Sequence, residues 1–211
     1  MTNSLSRFDV DLIARRVLFA KAAPGPVPPC AIPVPGSTFP INYTTPKDYE
    51  WASKLSEDQR QAVAAWQSNN YQYIREYQQF GETIEAQAKK WTKDLGSAWK
   101  KAPKHTKGTV YRGVQLTKEQ AKGFSFGEIE FENFTATSLD KSIARNFATK
   151  NVGERQPCIF EIRQSKTGRR ILGAGREDEA EVLFGAGAEF DISYDGVENG
   201  VWRFILTEII R

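Results

Sequence analysis

The spacing of apolar residues changes once along this chain, and that change limits the possible folds more than any other feature. From Thr45 to about Ala102 the spacing is helical, whereas after Pro103 it becomes that of short strands. Ser56-Glu57-Asp58-Gln59 reads as a capping box that opens a helix with Ala62, Val63 and Trp66 inward. Ser68-Asn69-Asn70 breaks it, and a second helix carries Tyr71, Ile74 and Tyr77. Gly81 is a second break, followed by a third helix with Ile84, Ala88, Trp91, Leu95 and Trp99 at helical spacing. Strands are expected over 109–114, 128–135, 157–163, 169–172, 179–184, 188–194 and 201–210. One helix interrupts them, from about Asp140 to Thr149, burying Ile143, Ala144 and Phe147. Helices first and strands afterwards imply an α+β fold rather than a parallel α/β sheet. Neither a dinucleotide-binding glycine fingerprint nor a P-loop is present.

Upstream, Phe8, Leu12, Arg16 and Phe19 would share one side of a short amphipathic helix, with Ile13 beside them. Residues 22–36 are too dense in proline for a helix or a central strand and read as an extended linker. The expected division is an arm and proline-rich linker over 1–38 and one globular domain over 39–211. The 40% hydrophobic and 12% aromatic content suffices for a core. No apolar run approaches the roughly 20 residues a bilayer crossing needs, and Asp9, Asp11, Arg15 and Arg16 interrupt what would be a signal sequence. A net charge of +3 is too mild to mark a dedicated nucleic-acid binder. The distant pair Cys30 and Cys158, with the single histidine His105, argues against a structural zinc site of nitrogen and sulfur ligands. No metal is implied.

Three segments are candidates for chemistry. Arg112, within Thr109–Val114, is an arginine in an expected strand followed by Gly113. A buried guanidinium needs a partner, and its fork suits phosphate or carboxylate; an edge-strand arginine facing water is the plainer reading. Phe134–Asp140 places hydroxyls at a strand end before a helix, where helix capping by Ser138 or Asp140 competes with the lining of a cleft. Glu177–Phe184 carries Glu179 and Glu181 two residues apart, hence on one face of a strand, ahead of the apolar triplet Val182-Leu183-Phe184. Two close carboxylates can divide cation stabilisation and proton transfer between them, and a solvated acidic turn is the alternative.

Taken together, in this order, the three segments resemble the arginine-directed ADP-ribosyltransferases of the R-S-E class, related to bacterial toxins. The resemblance covers about residues 43–210 and extends upstream to Leu55–Gln59, Trp66 and Tyr71. It implies a helical lobe packed on a split, two-sheet antiparallel β-sandwich, with NAD as the substrate in a cleft. It further implies that Arg112 holds a pyrophosphate or ribose oxygen, that Gly113 meets the nicotinamide amide and that Phe147 stacks on the nicotinamide ring. Asn133, Thr137, Trp66 and Tyr71 are implied as further cofactor contacts. Glu181 would stabilise an oxocarbenium-like ribose, and Glu179 would orient the attacking guanidinium and accept its proton. Ser138 belongs to the hydroxyl triplet, which departs from the usual Ser-Thr-Ser at Ala136; that first serine commonly braces the catalytic glutamate, and Thr137, Ser138 or Thr135 would have to substitute. Lys150 or Arg155 would serve the phosphates, and the turn at 173–178 would face the protein substrate.

The implied activity is mono-ADP-ribosylation of arginine on a target protein, by a monomer acting in the cytoplasm of a target or host cell after signal-peptide-independent secretion or phage delivery. A related class holds NAD with His, Tyr and Glu, but His105 precedes the arginine strand among lysines and reads as a surface residue. The lysines at 89, 90, 93, 100, 101, 104 and 107, interleaved with Trp91 and Trp99, read as a solvated face, as a single-strand nucleic-acid surface, or as a dock for an acidic or RNA-associated target, with ADP-ribosylation of an RNA or RNA-associated target as an alternative function. NAD glycohydrolysis is the remaining alternative; the Glu-x-Glu pattern argues against it, since hydrolysis alone does not need a second carboxylate.

Overall fold

The computed structural model describes residues 43–172 and 179–211. The expected arm, the linker and the turn at 173–178 lie outside these residues. Four helices come first: α1 (Pro46–Ser53), α2 (Glu57–Trp66), α3 (Tyr71–Phe80) and α4 (Ala88–Lys101). The capping box at Ser56 forms, with Gln59 N donating to Ser56 Oγ at 3.2 Å and Ser56 N to Gln59 Oε1 at 3.1 Å. A second box, Thr45 with Asp48, starts α1 with Pro46 in its first turn. Ile84 does not belong to a helix: it is 91% exposed and α4 begins four residues later, because residues 81–87 form a turn after the left-handed Gly81 (φ 75°).

The remainder runs β1 (Thr109–Leu116), α5 (Lys118–Gly123), β2 (Phe126–Phe131), β3 (Thr135–Ser138), α6 (Lys141–Thr149), β4 (Gln156–Arg163), β5 (Arg169–Arg170), β6 (Glu181–Phe184), β7 (Ala188–Glu198) and β8 (Val201–Ile209). Two helices therefore interrupt the strands, not one. The extra helix, α5, is a short turn capped by Thr117 and Gln120. The strand expected over 128–135 divides in two around Asn133.

The α+β architecture stands, but the two-sheet arrangement does not appear as such. Hydrogen bonding follows one eight-stranded order, β2-β7-β8-β4-β1-β3-β6-β5. The junction between β1 and β3 rests on a single register pair, Tyr111↔Ser138, whereas β1 and β4 share eight pairs from Thr109↔Arg163 to Leu116↔Gln156. The β4–β8 pairing is parallel, so the sheet is mixed.

Two large cores, with a smaller cluster of Ala148, Ile159 and Val201, form among the described residues. One gathers Phe124, Phe131, Phe160, Phe184, Phe190 and Phe204 with Val182 and Leu206. The other joins Trp51, Trp66, Ile74, Leu95, Phe134 and Leu183 between the helices and the β3–β6 end. Strand β6 is buried on both faces. Its alternation sends Val182 and Phe184 to the phenylalanine core and Leu183 to the helical side, so Glu181 shares the helical face.

Candidate functional site

One cleft opens between α2, α3 and α6 and the β1–β3–β6 part of the sheet, with about 600 Å³ of empty space continuous with solvent. Its wall includes Arg112 and Gly113 from β1, Thr137 and Ser138 from β3, Ile143 and Phe147 from α6, Trp66 and Tyr71 from the helical lobe, and both Glu179 and Glu181. The arginine from mid-chain and the two late glutamates thus meet in one hollow.

The two carboxylates do not reach it by simple strand alternation. Glu179 precedes β6, and Ala180 between them is left-handed, with φ 47°. That conformation costs an alanine about 1–2 kcal/mol. It is held by Leu139 N donating to Ala180 O at 3.0 Å and by Ser138 Oγ donating to Glu179 O at 2.8 Å. Ser138 therefore fixes the backbone that aims Glu179. Glu181 is 2% exposed and accepts the Trp66 indole N–H on Oε1 at 2.7 Å. Thr137 spends its hydroxyl on Val182 O at 2.7 Å, across the β3–β6 ladder.

Arg112 is partly buried and donates from Nη1 to Ala136 O at 2.7 Å. Burial lowers its pKa to about 10, opposed by the nearby Tyr71 and Glu181. Gly113 has a structural reason to be glycine: a Cβ there would lie 1.8 Å from Ala144 O of α6. The close approach that the sequence suggested at this position is thus made by a helix backbone.

Arg75 was not singled out by sequence. It sits on α3, only 8% exposed, yet lines the cleft. Its Nη2 has no hydrogen-bond partner among the described residues. Burial, followed by repulsion from Arg112, lowers its pKa to about 9. Two guanidiniums facing one cleft, Arg75 buried and Arg112 partly buried, have the chemistry to receive an anion carrying more than one charge. Nothing local in Tyr73-Ile74-Arg75-Glu76 distinguishes this arginine from an exposed helical one; only the tertiary position of α3 does. Tyr111 is a second wall residue that sequence did not select.

Other expected contacts fall elsewhere. Asn133 is 1% exposed and is not on the cleft wall; among the described residues neither amide atom has a partner. Lys150 and Arg155 are exposed and also lie off the wall. His105 is a correction: it is 8% exposed, not a surface residue, because its backbone N–H docks on Gly168 O at 2.9 Å and draws it beside β5. It too is absent from the cleft.

Comparisons with known proteins establish the family and the fold. A sequence profile of the ADP-ribosyltransferase exoenzyme family matches residues 43–210. The chain is 29% identical over 171 residues to the NAD(+)--protein-arginine ADP-ribosyltransferase Tre1 of Pseudomonas putida (strain GB-1), a match covering 80% of this chain but 32% of that protein. The chain thus spans about a third of that relative's length. Among solved structures, the Vis toxin from Vibrio splendidus, an ADP-ribosyltransferase, superposes with a TM-score of 0.64 at 20% identity, covering 99% of this chain and 88% of that one. Exoenzyme S from Pseudomonas aeruginosa, solved with human 14-3-3 protein beta and carba-NAD, superposes at 0.58 with 17% identity, covering 76% and 81%. With the profile matched over most of its length and the fold shared, this chain belongs to the ADP-ribosyltransferase exoenzyme family.

Proposed function

We propose that this protein transfers ADP-ribose from NAD to an arginine side chain of a target protein. The observation that carries the reading is the cleft that joins the buried Arg75 and the partly buried Arg112 to a paired Glu179 and Glu181. Arg75 and Arg112 hold the pyrophosphate of NAD, whose charge offsets their mutual repulsion. Ile143, Phe147 and Gly113 form the wall for the nicotinamide. As the glycosidic C–N bond breaks, its electron pair leaves with neutral nicotinamide, and the ribose becomes an oxocarbenium-like cation. The Glu181 carboxylate stabilises that cation. Glu179 orients the acceptor guanidinium, whose nitrogen bonds to the ribose C1′, and takes the proton it releases before passing it to water.

The catalytic domain is proposed to span residues 39–211, with residues 1–38 dispensable for chemistry in vitro, and the enzyme is proposed to act as a monomer in the cytoplasm of a target or host cell. No helix among the described residues is long and apolar enough to cross a membrane. Lys89, Lys93, Lys100, Lys101, Lys104 and Lys107 are exposed, whereas Lys90 is engaged by Asp58 at 2.6 Å and Asp94 at 2.9 Å. We assign the exposed set to docking an acidic face of the target. Raising ionic strength should then raise KM for the protein acceptor and leave KM for NAD little changed; equal salt effects on both would remove this assignment.

The decisive experiment labels a cell lysate with radioactive NAD. Wild-type protein should transfer label to protein, and Glu181→Gln should lower transfer by about 10²- to 10³-fold, the usual loss when a transition-state charge partner is removed. Undiminished labelling by the variant would refute the role of Glu181. Release of free ADP-ribose without labelled protein would favour hydrolysis instead.

A further inference from the structure

We infer that Trp66 is a positioning residue for Glu181, so that the helical lobe sets the aim of the carboxylate at the reaction centre. This rests on the proposed role of Glu181. The hydroxyls on β3 are committed elsewhere: Thr135 Oγ1 donates to Asn133 O, Thr137 to Val182 O and Ser138 to Glu179 O. Ala136, on the same face of β3 as Ser138, has no hydrogen-bonding side chain, and its methyl packs in the cluster that contains Trp66. A donor to Glu181 comes instead from across the cleft, as the Trp66 indole N–H, at 2.7 Å.

The indole is well placed to hold a fixed direction. Trp66 ends α2 and is 2% exposed. Tyr71 and Phe134 meet its ring edge-on, at 6.3 Å and 6.1 Å between centroids. A hydrogen bond to a charged acceptor is directional and among the stronger kinds. Trp66 thus orients Glu181 without needing to touch the reacting atoms. The alanine at 136 and the tryptophan at 66 belong to one packed cluster, in which the N–H comes from the ring.

The test is Trp66→Phe, which keeps an aromatic ring and removes the donor. We expect kcat for transfer to fall about ten- to a hundredfold, with KM for NAD held within about twofold. Adding Ala136→Ser in the same chain should restore part of the loss. The register pairs Ala136 with Leu183 and Ser138 with Glu181, so a hydroxyl at 136 lies diagonally across the ladder from the carboxylate. Unchanged kcat in Trp66→Phe would overturn the proposal, and so would a loss carried wholly by KM. The indole N–H resonance of Trp66 provides a readout that needs neither activity nor folding of that variant. It should move in Glu181→Ala, and an unmoved resonance would overturn the brace. If wild-type protein transfers nothing, the reading of the site fails separately, while this resonance still decides the hydrogen bond.

Discussion

The two cores of this protein are built from different aromatic residues, and the difference separates stability from function. The phenylalanine core brings together rings with no polar atoms: Phe204 meets Phe160 at 5.7 Å, and Phe184 meets Phe190 at 5.3 Å. The tryptophan core gives each of three buried or partly buried rings a polar task. Trp51 donates to Ala98 O at 3.1 Å, Trp99 to Leu183 O at 2.8 Å and Trp66 to Glu181 Oε1 at 2.7 Å. The first kind of packing is nondirectional and tolerates small shifts. The second pins helices to named atoms, and two of its three bonds end on β6, the strand that carries Glu181. The cleft is accordingly lined from the directional side.

The largest stability effect should come from the side away from the cleft. Phe204 is fully buried between Phe160 and Tyr194. Phe204→Ala should cost about 3–5 kcal/mol in urea denaturation, the usual range for such a truncation. A cost below about 1 kcal/mol would mean that the phenylalanine core does not carry the fold. Arg75→Met should do the opposite on the cleft side. It removes a buried cation whose Nη2 has no partner among the described residues, so the folded state should gain about 1 kcal/mol or more. KM for NAD should nevertheless rise about tenfold or more, as a charge-assisted contact to phosphate is lost. A variant that is both less stable and unimpaired in NAD binding would reverse the contrast between the two regions.

The same contrast explains what was legible from sequence. The period of the apolar residues located α2, β4 and β8 within a few residues, because each buries one face against a large core. The capping box at Ser56 was visible because it is local chemistry. Arg112 and the two glutamates were legible only together, through the order of three segments that resemble the family; each alone also fits an edge-strand arginine or a solvated acidic turn. What stayed hidden depends on long-range packing. Arg75 and His105 carry ordinary surface-like neighbours in sequence and are buried only by the docking of α3 and of the β5 edge. The left-handed Ala180 could not be anticipated, since its stabilising bonds come from Ser138 and Leu139, some forty residues earlier. The task of Trp66 was hidden as well, because its spacing within α2 fits a core residue equally well.

His105 gives the finest probe of how the helices and the β5 edge are joined. It follows α4, and its N–H bonds to Gly168 O while Nε2 is buried without a partner among the described residues. Burial, then the nearby Arg170 cation, lowers its pKa below the usual imidazole value. The folded protein therefore binds this proton less readily than the unfolded chain. The stability it contributes is complete above the unfolded pKa, about 6.5, and is lost as pH falls below that value toward the lower folded one. His105 is the only histidine, so this window is not shared with another imidazole. Carboxylates such as Asp48, whose pKa is lowered despite its burial by hydrogen bonds from Arg170 and Thr45, lose their contribution only at more acidic pH. Urea midpoints should thus fall modestly between pH 7.5 and pH 5.5 in the wild type, and His105→Gln should flatten that slope. The same slope in both proteins would show that the seam between α4 and β5 does not sense the charge of this imidazole.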